Sequence, residues 1–500
     1  MASIKKLASQ TLWYGVSSIF ARFLTYLLTP YLTYKFRGTV EYGKMSLIFA
    51  LIPFLYTLIV FAFETAYFRF MQNKDFKPDV YNTLSTSLLI STLGIIGLTI
   101  LNKEHVAGFI GLGDHPEYVL LCGFIIGFDA LSTLPFAMLR HENRPKKFAA
   151  IRVASILLNI AAVYFFLSIC PSVIKKNPNS VLHFIYSPRL GVAYVLVGNL
   201  VGSFFQFAAL SKEWMSVKLQ INRELWKEVM IYALPLTIAG FAGMINETFD
   251  RVMLQRWSPL KGDAATYEVG IYSACYKLSI LITLFIQAFR MGAEPFFFKQ
   301  STEQNAPRVY ARVMKFFVIT ICGMFLFVSL YLDIWKYFIR DEKMWVGLKV
   351  VPILLLANMF LGIYINLSIW YRLSRKTTAG AYITLIGAAI TITINFIFIP
   401  YFGYMACAWA TFICYGTMMV ISYIWGQKSY PVPYAWKKLI AYIVIVVILY
   451  FIHLAIISIW HNSALNFIVA TLFLILFALF IYRVEKKEFD NILRMRKTPA

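Results

Sequence analysis

Ten ionisable residues lie in stretches otherwise apolar enough to cross a bilayer: Arg22, Glu64, Asp129, Arg152, Glu247, Asp250, Arg251, Lys277, Arg290 and Glu294. A charge near the bilayer centre costs about 3 kcal/mol on insertion scales, so it normally faces a wet cavity or a partner. These residue types suit capture and passage. Guanidinium groups hold anionic oxygens through paired donors, whereas carboxylates hold a proton or a sodium ion. Cations exceed acids only slightly once Lys349 is counted, and the excess points to an anionic or sugar-bearing passenger.

Spacing sorts these residues into groups. Ser18, Arg22, Thr25, Tyr26 and Thr29 recur at helical intervals and form one polar stripe, with no acid on the same helix to hold the arginine. Glu247 with Arg251, and Asn246 with Asp250, are spaced four apart, and Lys277 is a candidate partner for Asp250 on the next helix. That set is either structural or a binding site for a coupling proton or sodium ion. Gln287, Arg290 and Glu294 share one helix face, and Arg152, Ser155 and Asn159 share another. Asp129 and Glu64 fall at comparable depth, and Arg69 and Arg140 read as interfacial anchors.

The elements that must position these groups are membrane helices. The chain of 500 residues is 60% hydrophobic, 17% aromatic and 14% charged, which excludes an ordinary soluble globule. A span needs about 20 apolar residues, and fourteen segments between residues 10 and 482 qualify. The expectation is an all-α polytopic membrane protein. The first span lacks a cleavage pattern and is expected to be retained.

Basic residues gather in loops 140–147, 212–228, 299–315 and 372–376 and in the tail 483–497, which predicts cytoplasmic termini. The net charge of +23 is then accounted for by anionic lipid leaflets. No nucleic-acid partner is expected, because the cations are scattered through short loops. The six cysteines form no C-x-x-C and read as small core residues, and the six histidines form no ligand pattern, so no metal site and no cofactor is expected.

The connection 211–228 reads as an amphipathic surface helix, with Trp214, Val217, Ile221 and Leu225 on its apolar face. It is also the expected midpoint of a duplication. That gives residues 1–225 with spans 1–6, residues 226–430 with spans 7–12, and residues 431–500 with spans 13–14 and a tail.

Several motifs carry a family resemblance. They are Asp129-Ala-Leu-Ser-Thr-Leu-Pro-Phe-Ala-Met-Leu-Arg140 with Arg144-Pro145, Glu64-Thr-Ala-Tyr-Phe-Arg69, and Asp250-Arg251. Val269-Gly-Ile-Tyr-Ser-Ala-Cys-Tyr-Lys277, Ala288 through Phe298, and Asn366-Leu-Ser-Ile-Trp-Tyr371 through Ala408-Trp-Ala-Thr411 complete the set. In order and spacing they resemble the lipid-linked oligosaccharide flippases of the multidrug/oligosaccharidyl-lipid/polysaccharide exporter superfamily. The resemblance implies two six-helix lobes in a V plus two C-terminal helices, alternating access, and an undecaprenyl-pyrophosphate-linked glycan as passenger. It places the protein in the bacterial inner membrane, among membrane lipids and other polysaccharide-assembly proteins.

On that resemblance Arg22 and Arg290 are head-group candidates, and the polar faces of the spans add Arg152, with Tyr26 and Asn159 beside them. Glu64, Asp129, Glu247, Asp250, Arg251, Lys277 and Glu294 are the coupling or gating candidates, the ion being Na+ or H+. Two alternatives stay open: a cation-coupled drug or metabolite antiporter of the same superfamily, and a membrane-embedded polymerase or glycosyltransferase. The enzyme is the poorer fit, since the outer loops are short.

Overall fold

The computed structural model describes residues 2–72, 76–177, 179–301, 303–374, 376–460, 462–486 and 488; the side chains of 2–18, 189, 294, 295, 298, 299, 377 and 463 fall outside that description. Among the described residues the regular structure is entirely helical. The chain runs through α1 (Ala2–Lys35), α2 (Glu41–Val60), α3 (Phe63–Phe70), α4 (Lys77–Leu101), α5 (Lys103–Phe109) and α6 (Pro116–His141). Next, α7 (Pro145–Tyr164) continues through a π turn into α8 (Cys170–Lys176), followed by α9 (Ala193–Ala209), α10 (Ser211–Met215), α11 (Arg223–Trp257) and α12 (Asp263–Gln300). The remainder is α13 (Ala306–Leu330), α14 (Leu332–Trp335), α15 (Val351–Leu367), α16 (Ile369–Leu373), α17 (Thr377–Phe402), α18 (Tyr404–Ser429), α19 (Trp436–Ile459) and α20 (Ser463–Val484).

Twelve helical segments among the described residues are long and apolar enough to cross a membrane, against fourteen expected. The difference lies in α9, which at 17 residues is a turn short of the usual ~20, and in α1, whose first side chains are not described.

Two expectations are corrected. The connection 211–228 is not one amphipathic helix. α10 ends at Met215, and the chain then runs without helix to Asn222, which caps α11 by accepting from the Leu225 N–H at 3.2 Å. Side-chain bonds to neighbouring spans replace the helical ladder. Trp214 Nε1 donates to the Leu131 carbonyl at 2.9 Å, the Lys218 N–H to Asn82 at 2.9 Å, and Asn222 Nδ2 to Asp79 at 2.8 Å.

The second expected span is also not one helix. It breaks at Phe61 and Ala62, whose φ angles of 46° and 52° are left-handed. Neither residue is glycine, and such conformations cost about 1–3 kcal/mol each unless the surroundings enforce them. Here the Phe61 N–H caps α2 on the Thr57 carbonyl and Ser91 Oγ donates to the Ile59 carbonyl, so the freed backbone groups stay bonded.

Packing divides the chain into two compact units. The first holds Met1–Ala274, Arg340–Met344 and Thr377–Cys414; the second holds Cys275–Ile339, Trp345–Lys376 and Tyr415–Ala500. These units group helices by packing, whereas the boundaries expected at 225 and 430 rest on the duplication expected from the sequence.

In the first unit, Gly198 and Gly202 let α9 lie against α7: a Cβ on Gly202 would meet the Ser155 carbonyl oxygen at 2.7 Å. A tighter approach joins α2 to α12, where a Cβ on Gly43 would lie 1.9 Å from the Thr266 carbonyl oxygen. Beside it the buried Asp341 accepts from the Gly38 N–H at 2.8 Å and the Tyr267 hydroxyl at 3.4 Å. The segment 340–344 is thereby fastened to the turn before α2 and to the start of α12.

The second unit carries an ionic knot that the sequence reading did not single out. Just past α20, the buried Glu485 accepts from Lys315 Nζ at 2.6 Å, Tyr442 Oη at 2.6 Å and Lys438 Nζ at 3.3 Å. Glu488 accepts from Lys315 at 3.3 Å and pairs with Arg312 at 3.2 Å. Burial alone pushes the Glu485 carboxyl up. The hydrogen bonds from Lys315 and Tyr442 and the charges of Lys315 and Lys438 outweigh it, holding the pKa below its ordinary 4.5.

A depressed folded pKa contributes stability that is complete above the unfolded value and is lost as pH falls through the folded one. The melting temperature of the purified protein is therefore expected to drop more steeply below about pH 4.5 than that of Glu485→Gln. Parallel melting curves would rule this account out.

Candidate functional site

The densest polar group of the first unit is built from α2, α3, α6, α7 and α9. Because the span breaks before α3, Glu64 stands in that helix's first turn, where its oxygen receives Arg140 Nη2 from α6. Two turns back along α6, Thr133 Oγ1 meets the Tyr56 hydroxyl of α2 at 2.8 Å. Asp129, half-buried on the same helix, lies beside Ser203 of α9 and within the field of Arg152. Arg152 of α7 donates to Gln206 Oε1 at 3.2 Å and lies over the Phe136 ring, 4.4 Å from its centroid. The buried Phe148 ring is shared, with the guanidiniums of Arg140 and Arg152 each 5.9 Å from its centroid.

This arrangement gathers two delocalised cations in an aromatic setting, where each such contact is worth about 2 kcal/mol when desolvated. Farther along α7, Asn159 Nδ2 donates to Asn199 Oδ1 at 3.1 Å, while its own Oδ1 is buried without a hydrogen-bond donor. It can accept from a hydroxyl. Arg140, expected to be an interfacial anchor, stands in the last turn of α6 and takes part in this group. Arg69, the other expected anchor, lies 4.1 Å over the Tyr232 ring of α11.

A second polar set in the same unit lies on α11, α12 and α17. Asp250 is buried; one oxygen takes Arg251 Nη1 at 2.8 Å and the other the Tyr272 hydroxyl at 2.6 Å. Arg251 Nη1 also reaches the backbone carbonyl of Glu247 at 2.6 Å, whereas the Glu247 side chain is exposed. Asn246 turns toward α17 instead of Asp250. Its Nδ2 donates to the Thr384 carbonyl and its Oδ1 accepts from Thr391 Oγ1, both at 3.3 Å. One turn on, Asn395 is fully buried with neither amide atom hydrogen-bonded.

The stripe on α1 divides. Arg22 and Thr25 are exposed, while Tyr26 and Thr29 are buried; the side chain of Ser18 lies outside the described residues. Arg290 and Lys277 belong to the second unit. Arg290 is exposed and lines a crevice of about 20 Å³ with Asn366 and Arg372; Lys277 is half-buried. Lys349, in the same unit, is exposed. The side chain of Glu294 lies outside the described residues.

The polysaccharide biosynthesis protein family matches residues 7–301, more than half of the chain. The chain belongs to that family. No curated protein matches it in sequence. This polysaccharide biosynthesis protein shares its fold with solved transporters. One is a multidrug resistance MATE transporter of the MOP superfamily in an inward-facing conformation, with TM-score 0.59, 14% identity, and coverage of 85% of this chain and 97% of that chain. Another is such a transporter facing outward, with TM-score 0.58, 13% identity, and coverage of 84% and 94%. A point mutant of a MATE transporter from Vibrio cholerae gives TM-score 0.58 at 11% identity, covering 86% and 98%.

This member of the polysaccharide biosynthesis protein family is thus a multi-pass membrane protein with a transporter fold. Its two polar sets differ in what they offer a ligand. In the α6–α7–α9 set the guanidiniums rest on rings and donate to Glu64 and Gln206, and the buried Asn159 Oδ1 is left without a donor. In the α11–α12–α17 set the carboxylate of Asp250 already carries a donor on each oxygen.

Proposed function

We propose that this protein is a flippase that moves a glycan precursor on an undecaprenyl-pyrophosphate anchor across the bacterial inner membrane by alternating access, with both termini in the cytoplasm. The observation that carries the reading is the pair Arg140 and Arg152 around Phe148, set in apolar spans of a polysaccharide biosynthesis protein. A pyrophosphate matches guanidinium donors well. Arg22 and, in the second unit, Arg290 are the further head-group candidates, and Tyr26 and Asn159 the candidates to meet sugar hydroxyls.

Coupling to Na+ or H+ runs through Asp129 or Glu247. Glu64 is held by Arg140 and Asp250 by Arg251 and Tyr272, so those acids are already engaged and do not serve as the coupling groups. An anion arriving near Arg152 also repels the Asp129 charge, which links passenger entry to proton uptake. The glycan's anchor stays among membrane lipids, and the enzymes that assemble and polymerise it are the natural neighbours.

The test is flipping of lipid-linked sugars by the full chain in proteoliposomes. Arg22→Ala removes a hydrogen bond to a charged group, worth about 1.5–3 kcal/mol, so a loss of roughly 10- to 100-fold is expected. Undiminished flipping by this variant at equal protein abundance excludes Arg22 from the head-group path. Efflux of cationic dyes with no movement of lipid-linked sugar would replace the whole reading with the antiporter.

A further inference from the structure

We infer that the groove between α13 and α20 holds one acyl chain of a phospholipid with an anionic headgroup. The two helices are fastened at both ends and part in the middle. At one end the Tyr331 hydroxyl meets Thr471 Oγ1 at 2.7 Å, with the Tyr331 ring against Phe467. At the other, Lys315 bonds to Glu485 and Glu488. Between these fastenings lies an open groove of about 510 Å³ with walls that include Ile319, Gly323, Phe327, Leu474, Phe477 and Ala478. That volume falls within the ~300–1,000 Å³ of ordinary ligand clefts.

The lining asks for hydrocarbon. Only Thr320 and Tyr482 bring a polar side chain to it, and a Cβ added to Gly323 would meet nothing within 4 Å. A chain lying there is bounded lengthwise by two fixed contacts, unlike one that slides over a smooth helix face.

Charge at the basic end selects the headgroup. On that side stand Arg312, paired with Glu488, and Lys438, paired with Glu485, each about half exposed, with the exposed Arg483 and Lys486 within about a turn of Tyr482. The two acids among them, Glu485 and Glu488, are engaged by Lys315, Tyr442 and Arg312. An anionic phosphate therefore meets a net cationic rim, and each basic residue near a membrane surface strengthens such binding several-fold. The site lies wholly within the second unit and does not depend on the flippase reading.

Native mass spectrometry of the full chain in mixed micelles tests it, with phosphatidylglycerol against phosphatidylcholine as probes. Wild type is expected to retain phosphatidylglycerol selectively. Gly323→Phe and Ala478→Phe, which fill the groove from opposite walls, are expected to lose it. Arg312→Gln and Lys486→Gln should each lower the preference by roughly fivefold. Size-exclusion profiles identify any variant that misfolds, and the charge variants decide the matter if both filled ones do. Equal retention of the two lipids, retention by a folded filled variant, or recovery of an isoprenoid phosphate in place of a phospholipid would each overturn the assignment.

Discussion

Gly43→Ala is expected to stop flipping while leaving the protein inserted and helical. The added methyl would stand 1.9 Å from the Thr266 carbonyl oxygen and 2.8 Å from its carbon, and Gly270 on the same helix is close enough that its own Cβ would meet the Gly43 nitrogen at 3.1 Å. All of these obstacles are backbone, so no rotamer change relieves them, and α2 and α12 must separate. Overpacking of this kind costs about 1–3 kcal/mol, and more where nothing can yield.

At the upper end of that range a two-state equilibrium moves by roughly a hundredfold. If transport needs this contact to form and release, the variant is confined to states without it. The measurement is flux together with thiol labelling of Thr39→Cys, next to the contact. Loss of flux with faster labelling is the expected pair of results. Wild-type flux with unchanged labelling would show that α2 and α12 need not approach this closely.

The second large effect is on stability. Lys315→Met is expected to cost about 3 kcal/mol, because removing one member of a buried pair strands the other. Glu485 is 2% exposed and would keep only Lys438, at 3.3 Å and half in solvent, and the Tyr442 hydroxyl. Glu485→Leu leaves Lys315 with Glu488 and should cost less. The double replacement should recover part of the loss, since an apolar pair of similar volume is often neutral to stability. Additive single-variant effects in a double-mutant cycle would show that the knot is decorative.

The spans were legible because each is a long apolar run whose composition alone identifies it, and α4, α6, α13, α19 and α20 fall close to their expected limits. The ionisable residues inside them were legible for the same reason. Their partners were not. Glu64 and Arg140 are 76 positions apart, and Asp250 and Tyr272 are 22 apart. Which faces meet depends on helix packing that no local pattern encodes. The four-residue spacings misled at Asn246, whose amide turns to α17, and at Glu247, whose backbone rather than carboxylate meets Arg251.

In the stretch 211–228 the helical periodicity was real, but Trp214 and Asn222 found stronger bonds on α6 and α4. Asn222 three residues before the capped Leu225 was the available clue. The break at Phe61–Ala62 carries no glycine or proline at the site, so only tertiary contact could have revealed it.

That break has a mechanical consequence. A continuous helix transmits tilt along its whole length, as a lever does. Here α2 ends after Val60 and α3 begins at Phe63, so one crossing of the membrane is made by two short rods on a joint. The first rod carries the Gly43 contact and the second carries Glu64. Movement of the first can therefore be absorbed at the joint before it disturbs the ion pair of the second, and the contact with α12 can open and close while the grip on Arg140 holds still.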